Sequence, residues 1–276
     1  MSLFLGIDFG TTGVRTSIIN KNKKELTNFS VSIDSPISKG SLVYQNPSLW
    51  WSALIKNLTF LKTKIELNKI ERISIDGTSG TILITDHFGN PLDNALMYND
   101  ASAVKESKLV ESISDNHPIV STSTNALVRA LSLINKFKKE KYRILHQADW
   151  IACKIINDYM YSDENNALKL GYDCVERSWP KWFDQLPIEM NSLPNIKIPG
   201  QPIGKLRNSE LIDLGFSNKT MVIAGTTDSI AAFLATGAKK TGEAVSSIGT
   251  TLVVKAISNK PIYNKEFGIY SHRLGE

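Results

Sequence analysis

Long apolar runs, paired cysteines and low-complexity tracts are all missing from this sequence, and each absence narrows what the chain is. No hydrophobic stretch approaches the ~20 residues of a membrane-spanning helix, so a membrane partner is not expected. The first strand is expected to begin by Leu3, which leaves no room for a secretory leader or transit peptide, and a cytoplasmic setting follows as an expectation. The only two cysteines, Cys153 and Cys174, show neither a CxxC spacing nor a histidine at ligand spacing, which argues against zinc and against a disulfide framework and for reduced thiols. Basic clusters interleaved with aromatics are lacking too. The net charge of +5 is spread along the chain, with runs only at Lys21 to Lys24 and Lys136 to Lys141, so these read as solvated faces and no nucleic-acid partner is expected. What remains is a globular balance, 42% hydrophobic against 21% charged over 276 residues, enough for one large domain or two modest ones.

Taken in order, the chain opens with an apolar run, Leu3 to Ile7, that carries Asp8 into Gly10-Thr11-Thr12-Gly13 before a strand resumes at Val14. That pattern predicts a hairpin with a polar tip, and Glu25 to Ile33 predicts a third antiparallel strand after a lysine-rich turn. Asn46-Pro47-Ser48 signals a helix start, with Trp50, Leu54, Leu58, Leu61 and Ile65 recurring on one face, so its tryptophans are read as core or rim. Arg72 to Ile75 reads as a strand ending in the polar loop Asp76 to Thr81. A short strand and a return segment lead to Asn99-Asp100 before a helix from about Ala101, where Asp100 is read as a cap or turn former, with substrate contact as the other reading. Helices are expected from Ser121, with Leu127, Leu131, Ile134 and Phe137 on one face, and from Asp149 to Ile156. The polar segment Ser162 to Ala167 reads as an insert lining a cleft, and five prolines between Pro180 and Pro202 predict a loop-rich region. Met221 to Ala224 then leads into Gly225-Thr226-Thr227-Asp228-Ser229 and an alanine-rich helix, and a last polar tip, Ser247 to Thr251, precedes the strand Leu252 to Ile257.

The recurrence is one of form: strand ends deliver loops rich in glycine and threonine. Gly10-Thr11-Thr12 and Gly249-Thr250-Thr251 offer N–H and O–H donors without fixed positive charge, which suits a nucleotide phosphate whose charge is met by a divalent metal. Asp8 is the candidate to hold that metal through water, since Mg²⁺ keeps much of its hydration and takes only one or two carboxylates. Arg15 is a candidate to contribute charge at the phosphoryl group, or an ordinary exposed strand residue. Asp228, at an apolar strand end and before a helix, has the chemistry of a base accepting a hydroxyl proton in phosphoryl transfer; its plainer reading is a helix N-cap.

Gly6-Ile-Asp-Phe-Gly-Thr-Thr-Gly-Val-Arg15, Ala224-Gly-Thr-Thr-Asp-Ser229 and Ser247-Ile-Gly-Thr-Thr251, in this order, resemble the N-terminal half of the FGGY carbohydrate kinases. Ile75-Asp-Gly-Thr-Ser-Gly-Thr81 and Ala95-Leu-Met-Tyr-Asn-Asp100 look most like the xylulose/ribulose kinase type found in plants and cyanobacteria. The resemblance implies an α/β, ribonuclease-H-like fold of the actin-like ATPase and sugar kinase superfamily, a mixed sheet opened by antiparallel strands and flanked by helices. It implies ATP and Mg²⁺ as cosubstrate and cofactor and a ketose such as D-ribulose or D-xylulose as acceptor. By position, Gly10, Thr11, Thr12, Gly13 and Arg15 fall in the first phosphate motif and Gly249, Thr250 and Thr251 in the second. Asp228 matches the catalytic base, and Asp8, Ser79 and Asp228 the sugar contacts. Typical xylulokinases carry Gln-Met-His where this chain has Thr78-Ser79-Gly80, which leaves the sugar open. The resemblance further implies that residues 1–257 form the sugar-binding domain, and that 258–276 begin the connection to a C-terminal ATP-binding domain that this chain lacks. The expected activity is therefore a sugar kinase, with a non-catalytic sugar- or nucleotide-binding domain that needs a second domain or partner as the alternative.

Overall fold

The computed structural model describes residues 2–114, 119–120, 122–137, 141–248, 252–264 and 266–275. The opening hairpin forms as its apolar alternation dictates: β1 (Leu3–Gly10) and β2 (Gly13–Asn20) pair antiparallel from Leu3 opposite Asn20 to Gly10 opposite Gly13. Leu3, Leu5, Ile7 and Phe9 enter the core together with Val14 and Ile18, which turns Asp8 and Arg15 to the other side of the sheet. β3 (Glu25–Ser32) extends the sheet on β2, and β4 (Ile37–Lys39) and β5 (Leu42–Gln45) begin a second sheet. α1 (Pro47–Lys62) starts as its residues foretell: the Asn46 side chain accepts from the Ser48 N–H, and Pro47 sits where no intrahelical donor is needed. Its buried face, Trp50, Leu54, Leu58 and Leu61, packs on the opening strands, with Phe60 stacked on Phe29 at 3.7 Å.

β6 (Ile70–Gly77) then returns beside β1 and parallel to it. β7 (Ile82–Thr85) and β8 (Ala95–Leu96) join the second sheet, followed by α2 (Val104–Ile113), α3 (Ala126–Lys136), β9 (Arg143–His146) and α4 (Gln147–Ile156). The next stretch holds only short elements, β10 (Tyr161–Asp163), α5 (Glu164–Ala167) and β11 (Asn195–Lys197), as its prolines require. β12 (Pro202–Lys205), α6 (Ser209–Leu214), β13 (Met221–Thr227) and α7 (Asp228–Ala235) complete the main body. β14 (Ala244–Ile248) and β15 (Leu252–Ala256) pair only with each other among the described residues.

The larger sheet has the order β12-β13-β6-β1-β2-β3 and the smaller β4-β5-β8-β7-β9. One apolar core lies between the larger sheet, α1 and α4; a second fills the space between the smaller sheet, α3 and the loop-rich region. Trp50 and Trp150 meet edge to face in the first, as a core reading requires, and Cys153 and Cys174 are buried free thiols.

Three expectations need correction. The helix after Asp100 begins at Val104, so Asp100 is the turn former and not its cap: its N–H closes a turn on the Met97 carbonyl, and its buried carboxylate accepts from the N–H groups of Val43 (2.6 Å) and Ser102 (3.2 Å) and from the Ser102 hydroxyl. Ser162 to Ala167 does not line an open cleft. It is buried, with Asp163 capping α5 through the Asn165 and Asn166 N–H groups. Finally, Gly225-Thr226-Thr227 continues β13 as strand, and the helix starts at Asp228.

Candidate active site

Parallel strands emerge at one edge of a sheet, and here that edge collects carboxylates. β1 and β6 are in register with Asp8 opposite Asp76, and β13 lies parallel to β6 with Thr226 opposite Asp76 and Thr227 opposite Gly77. Asp228 therefore follows β13 directly at the edge that carries Asp8 and Asp76. Gly225 makes this approach possible. A Cβ there would stand 1.8 Å from the Ile75 carbonyl oxygen, at the irregularity where β13 shifts register on β6.

Asp228 is the first residue of α7, and its carboxylate accepts from the N–H of Ser229 at 2.6 Å and from the N–H of Ser79. Burial raises its pKa, the two N–H groups draw it back, Asp8 raises it and Lys255 lowers it. The plain N-cap reading does not hold for it, since the cap position is Thr227. Ser79 sits in the turn after β6, where Thr81 N–H bonds the Thr78 carbonyl at 3.2 Å and Gly80 takes a left-handed φ of 90°. Gln147 holds this turn from behind, its side-chain oxygen accepting from the Thr78 N–H (3.0 Å) and hydroxyl (2.7 Å). The Ser79 hydroxyl oxygen itself is buried without a partner among the described residues, as is one oxygen of Asp76.

Sequence reasoning missed Asp76. Burial first, then the Asp8 charge and a hydrogen bond to Asp8, push its carboxyl up to about 8, with Asp228 adding to the rise. The available signal was a carboxylate at an apolar strand end, the feature that marked Asp8 itself. Asn165 and His272 were missed as well. Asn165 donates to the Thr226 hydroxyl at 3.0 Å, and its carbonyl meets His272 Nδ1 at 2.9 Å, so it ties the 270–275 segment to β13.

The phosphate-motif residues Gly10, Thr11, Thr12 and Gly13 form the β1–β2 turn. Its carbonyls are engaged inward, Thr11 by the Gln45 side chain (3.2 Å) and Thr12 by the Ile33 N–H (2.8 Å), which leaves the two threonine hydroxyls unbonded among the described residues. Arg15 is exposed and pairs with Asp8 at 3.0 Å. A cavity of about 450 Å³ lies beside this pair, lined by Asp8, Arg15, Ser17, Glu25 and Asp76 among others. Gly249, Thr250 and Thr251 lie outside the described residues; the flanking strands are placed, with Ile248 opposite Leu252. Among the described residues no group of three or more His, Cys, Asp or Glu side chains is spaced to hold a metal, and no helix is long and apolar enough to cross a membrane. A hydrated Mg²⁺ needs no such group, since it keeps most of its water, and the partly exposed Asp8 carboxylate beside the cavity is the kind of ligand it takes.

A strand order opened by an antiparallel hairpin and continued by parallel neighbours is that of a ribonuclease-H-like fold. The model of the FGGY family of carbohydrate kinases, N-terminal domain, matches residues 3–235, and the chain belongs to this family. It is 22% identical over 283 residues to a xylulose kinase of Staphylococcus xylosus, covering 98% of this chain and 58% of the relative. It is 25% identical to a ribulokinase of Staphylococcus aureus, covering 91% of this chain and 53% of the relative. The ligand-bound xylulose kinase structure from Lactobacillus acidophilus superposes with a TM-score of 0.85 at 18% identity, covering 96% of this chain and 56% of that one, and it supports the actin-like fold. The chain spans about half the length of the curated relatives it matches.

Proposed function

We propose that the chain is the sugar-binding part of an ATP-dependent ketose kinase, acting on D-ribulose, D-xylulose or a sugar like them. The observation that carries this reading is Asp228, a half-buried carboxylate at the strand edge held by the Ser229 and Ser79 N–H groups, near enough to Asp8 and Asp76 for their charges to interact. Asp228 accepts the proton of the attacking sugar hydroxyl, because burial raises its affinity for that proton. Asp8 and the Ser79 hydroxyl, the latter without a partner, orient the sugar. Gly10, Thr11, Thr12 and Gly13 receive ATP phosphates on free hydroxyls and backbone N–H groups, with Gly249, Thr250 and Thr251 as the second phosphate loop and Arg15 as a nearby cation. Asp8 would hold Mg²⁺ through water, and the bound ion would neutralise phosphate charge. On this reading residues 1–257 are the sugar domain and 258–276 lead to an ATP-binding domain.

The test is ADP release over a panel of ketoses and polyols, with the chain joined to the C-terminal remainder found in its relatives. Turnover with a ketose supports the proposal; if Asp228→Ala left turnover unchanged, Asp228 would not be the base. The second reading is a non-catalytic sugar- or nucleotide-binding domain, favoured by the chain's span of about half its relatives. Ketose binding in calorimetry with no turnover under any nucleotide supports that reading, and kinase activity from this chain alone would rule it out.

A further inference from the structure

Arg129 on α3 is fully buried and makes no ion pair among the described residues. Its guanidinium spends its donors on backbone carbonyls: Nε on Asn125 (3.2 Å), Nη2 on Gly80 (2.9 Å) and Nη1 on Met97. Burial lowers the guanidinium's pKa to about 10, and the charge of Asp100 in the 97–100 turn offsets only part of that cost, whereas an apolar side chain of similar volume would fill the same core space without it. What an apolar side chain lacks is the rigid planar fork that can hold two carbonyls at a set separation.

The two carbonyls belong to different loops. Gly80 lies in the turn that carries Ser79, whose N–H reaches Asp228. Met97 opens the turn 97–100, closed by Asp100 N–H on the Met97 carbonyl (2.9 Å) and anchored to β5 by Met97 N–H on the Val43 carbonyl (2.9 Å) and Val43 N–H on Asp100 (2.6 Å). Arg129 bridges them from below. A Cβ on Gly80 would come within 3.3 Å of Nη2, so the left-handed turn and the guanidinium fit one another closely.

Resting on the ketose-kinase reading, we propose that Arg129 is a positioning residue for the sugar acceptor: by gripping the Gly80 and Met97 carbonyls it fixes the Ser79 turn against the 97–100 turn and so sets where the acceptor stands relative to Asp228. Residue-resolved amide exchange and calorimetric titration with D-xylulose and D-ribulose, on the 276-residue protein and its Arg129→Met and Arg129→Lys variants, test it. In Arg129→Met the Thr81 and Asp100 amides should exchange at least tenfold faster while those of β1, β2 and α1 keep their rates, and the ketose Kd should rise at least tenfold. Arg129→Lys, with one ammonium in place of a fork, should restore protection at one turn only and recover part of the affinity. Unchanged exchange at both turns overturns the proposal, and so does a uniform rise across the strands, which would mark an ordinary core residue. Loosened turns with intact ketose affinity overturn the role of Arg129 alone, whereas no ketose binding by the unsubstituted protein overturns the acceptor reading beneath it.

Discussion

At the scale of single residues the proposed chemistry rests on carboxylates that burial and mutual repulsion make costly to ionise. Asp228 is one of them, so catalysis and stability should respond in opposite directions to its removal. Asp228→Asn, assayed in the kinase completed by its C-terminal part, is expected to lower kcat by about 10²–10⁴-fold, while the thermal midpoint of the chain stays level or rises. A parallel fall in both would mean that the carboxylate serves the fold. His272 gives a second test through pH. Burial, then Lys169 and Lys255, lower its pKa to about 3, so it is neutral in the fold and its contact with Asn165 is present at neutral pH. Because its folded pKa lies below the usual 6.5, the unfolded chain takes up the proton first on acidification, and the stability this residue contributes is lost from about pH 6.5 downward toward 3. His272→Gln should cost about 1 kcal/mol at pH 7, and the gap in thermal midpoint from the unsubstituted chain should close and then reverse between pH 7 and pH 4.5. A gap that stays constant over that range would show that His272 titrates normally.

At the scale of elements, β13 decides where the base stands, and Gly225 decides where β13 runs. Gly225→Ala forces a Cβ onto the Ile75 backbone, which no side-chain rotation relieves, so a loss of about 3 kcal/mol is expected, read as a lowered urea midpoint with an unchanged m-value. A midpoint within error of the unsubstituted chain would mean that β6 and β13 can separate there. This element also marks the boundary of what could be read from sequence. α1 was legible because its cap, its proline and its apolar period are all local. The Gly225-Thr226-Thr227 stretch was not, since Gly-Thr-Thr forms a turn at Gly10 and strand at Gly225, and only the neighbouring β6 decides between them. Asp8, Ser79 and Asp228 could be picked out by their motifs. Asp76 carried the same strand-end signal as Asp8, whereas Asn165 and Arg129 carry no local signal, because their partners are distant in sequence: His272, Gly80 and Met97.

At the scale of the whole molecule, two apolar cores hold two sheets together, and β14 and β15 stand outside both. This hairpin and the chain after it expose Ile248 (86%), Leu252 (66%), Val254 and Phe267 (70%). Apolar side chains exposed on two strands that pair only with each other among the described residues favour association. The 276-residue chain should therefore gain weight-average mass with concentration in sedimentation experiments and bind an apolar dye, and higher salt should not reverse either effect, because the contact is not ionic. Ile248 and Leu252 face each other across the hairpin, so Ile248→Lys combined with Leu252→Glu adds a cross-strand charge pair where the apolar pair stood. That double variant should remain monomeric at concentrations where the unsubstituted chain associates, with a thermal midpoint changed by only a few degrees, since neither residue contributes to a core. Undiminished association would assign the contact to another surface, and a large fall in the midpoint would show that the hairpin is bound into the main body after all.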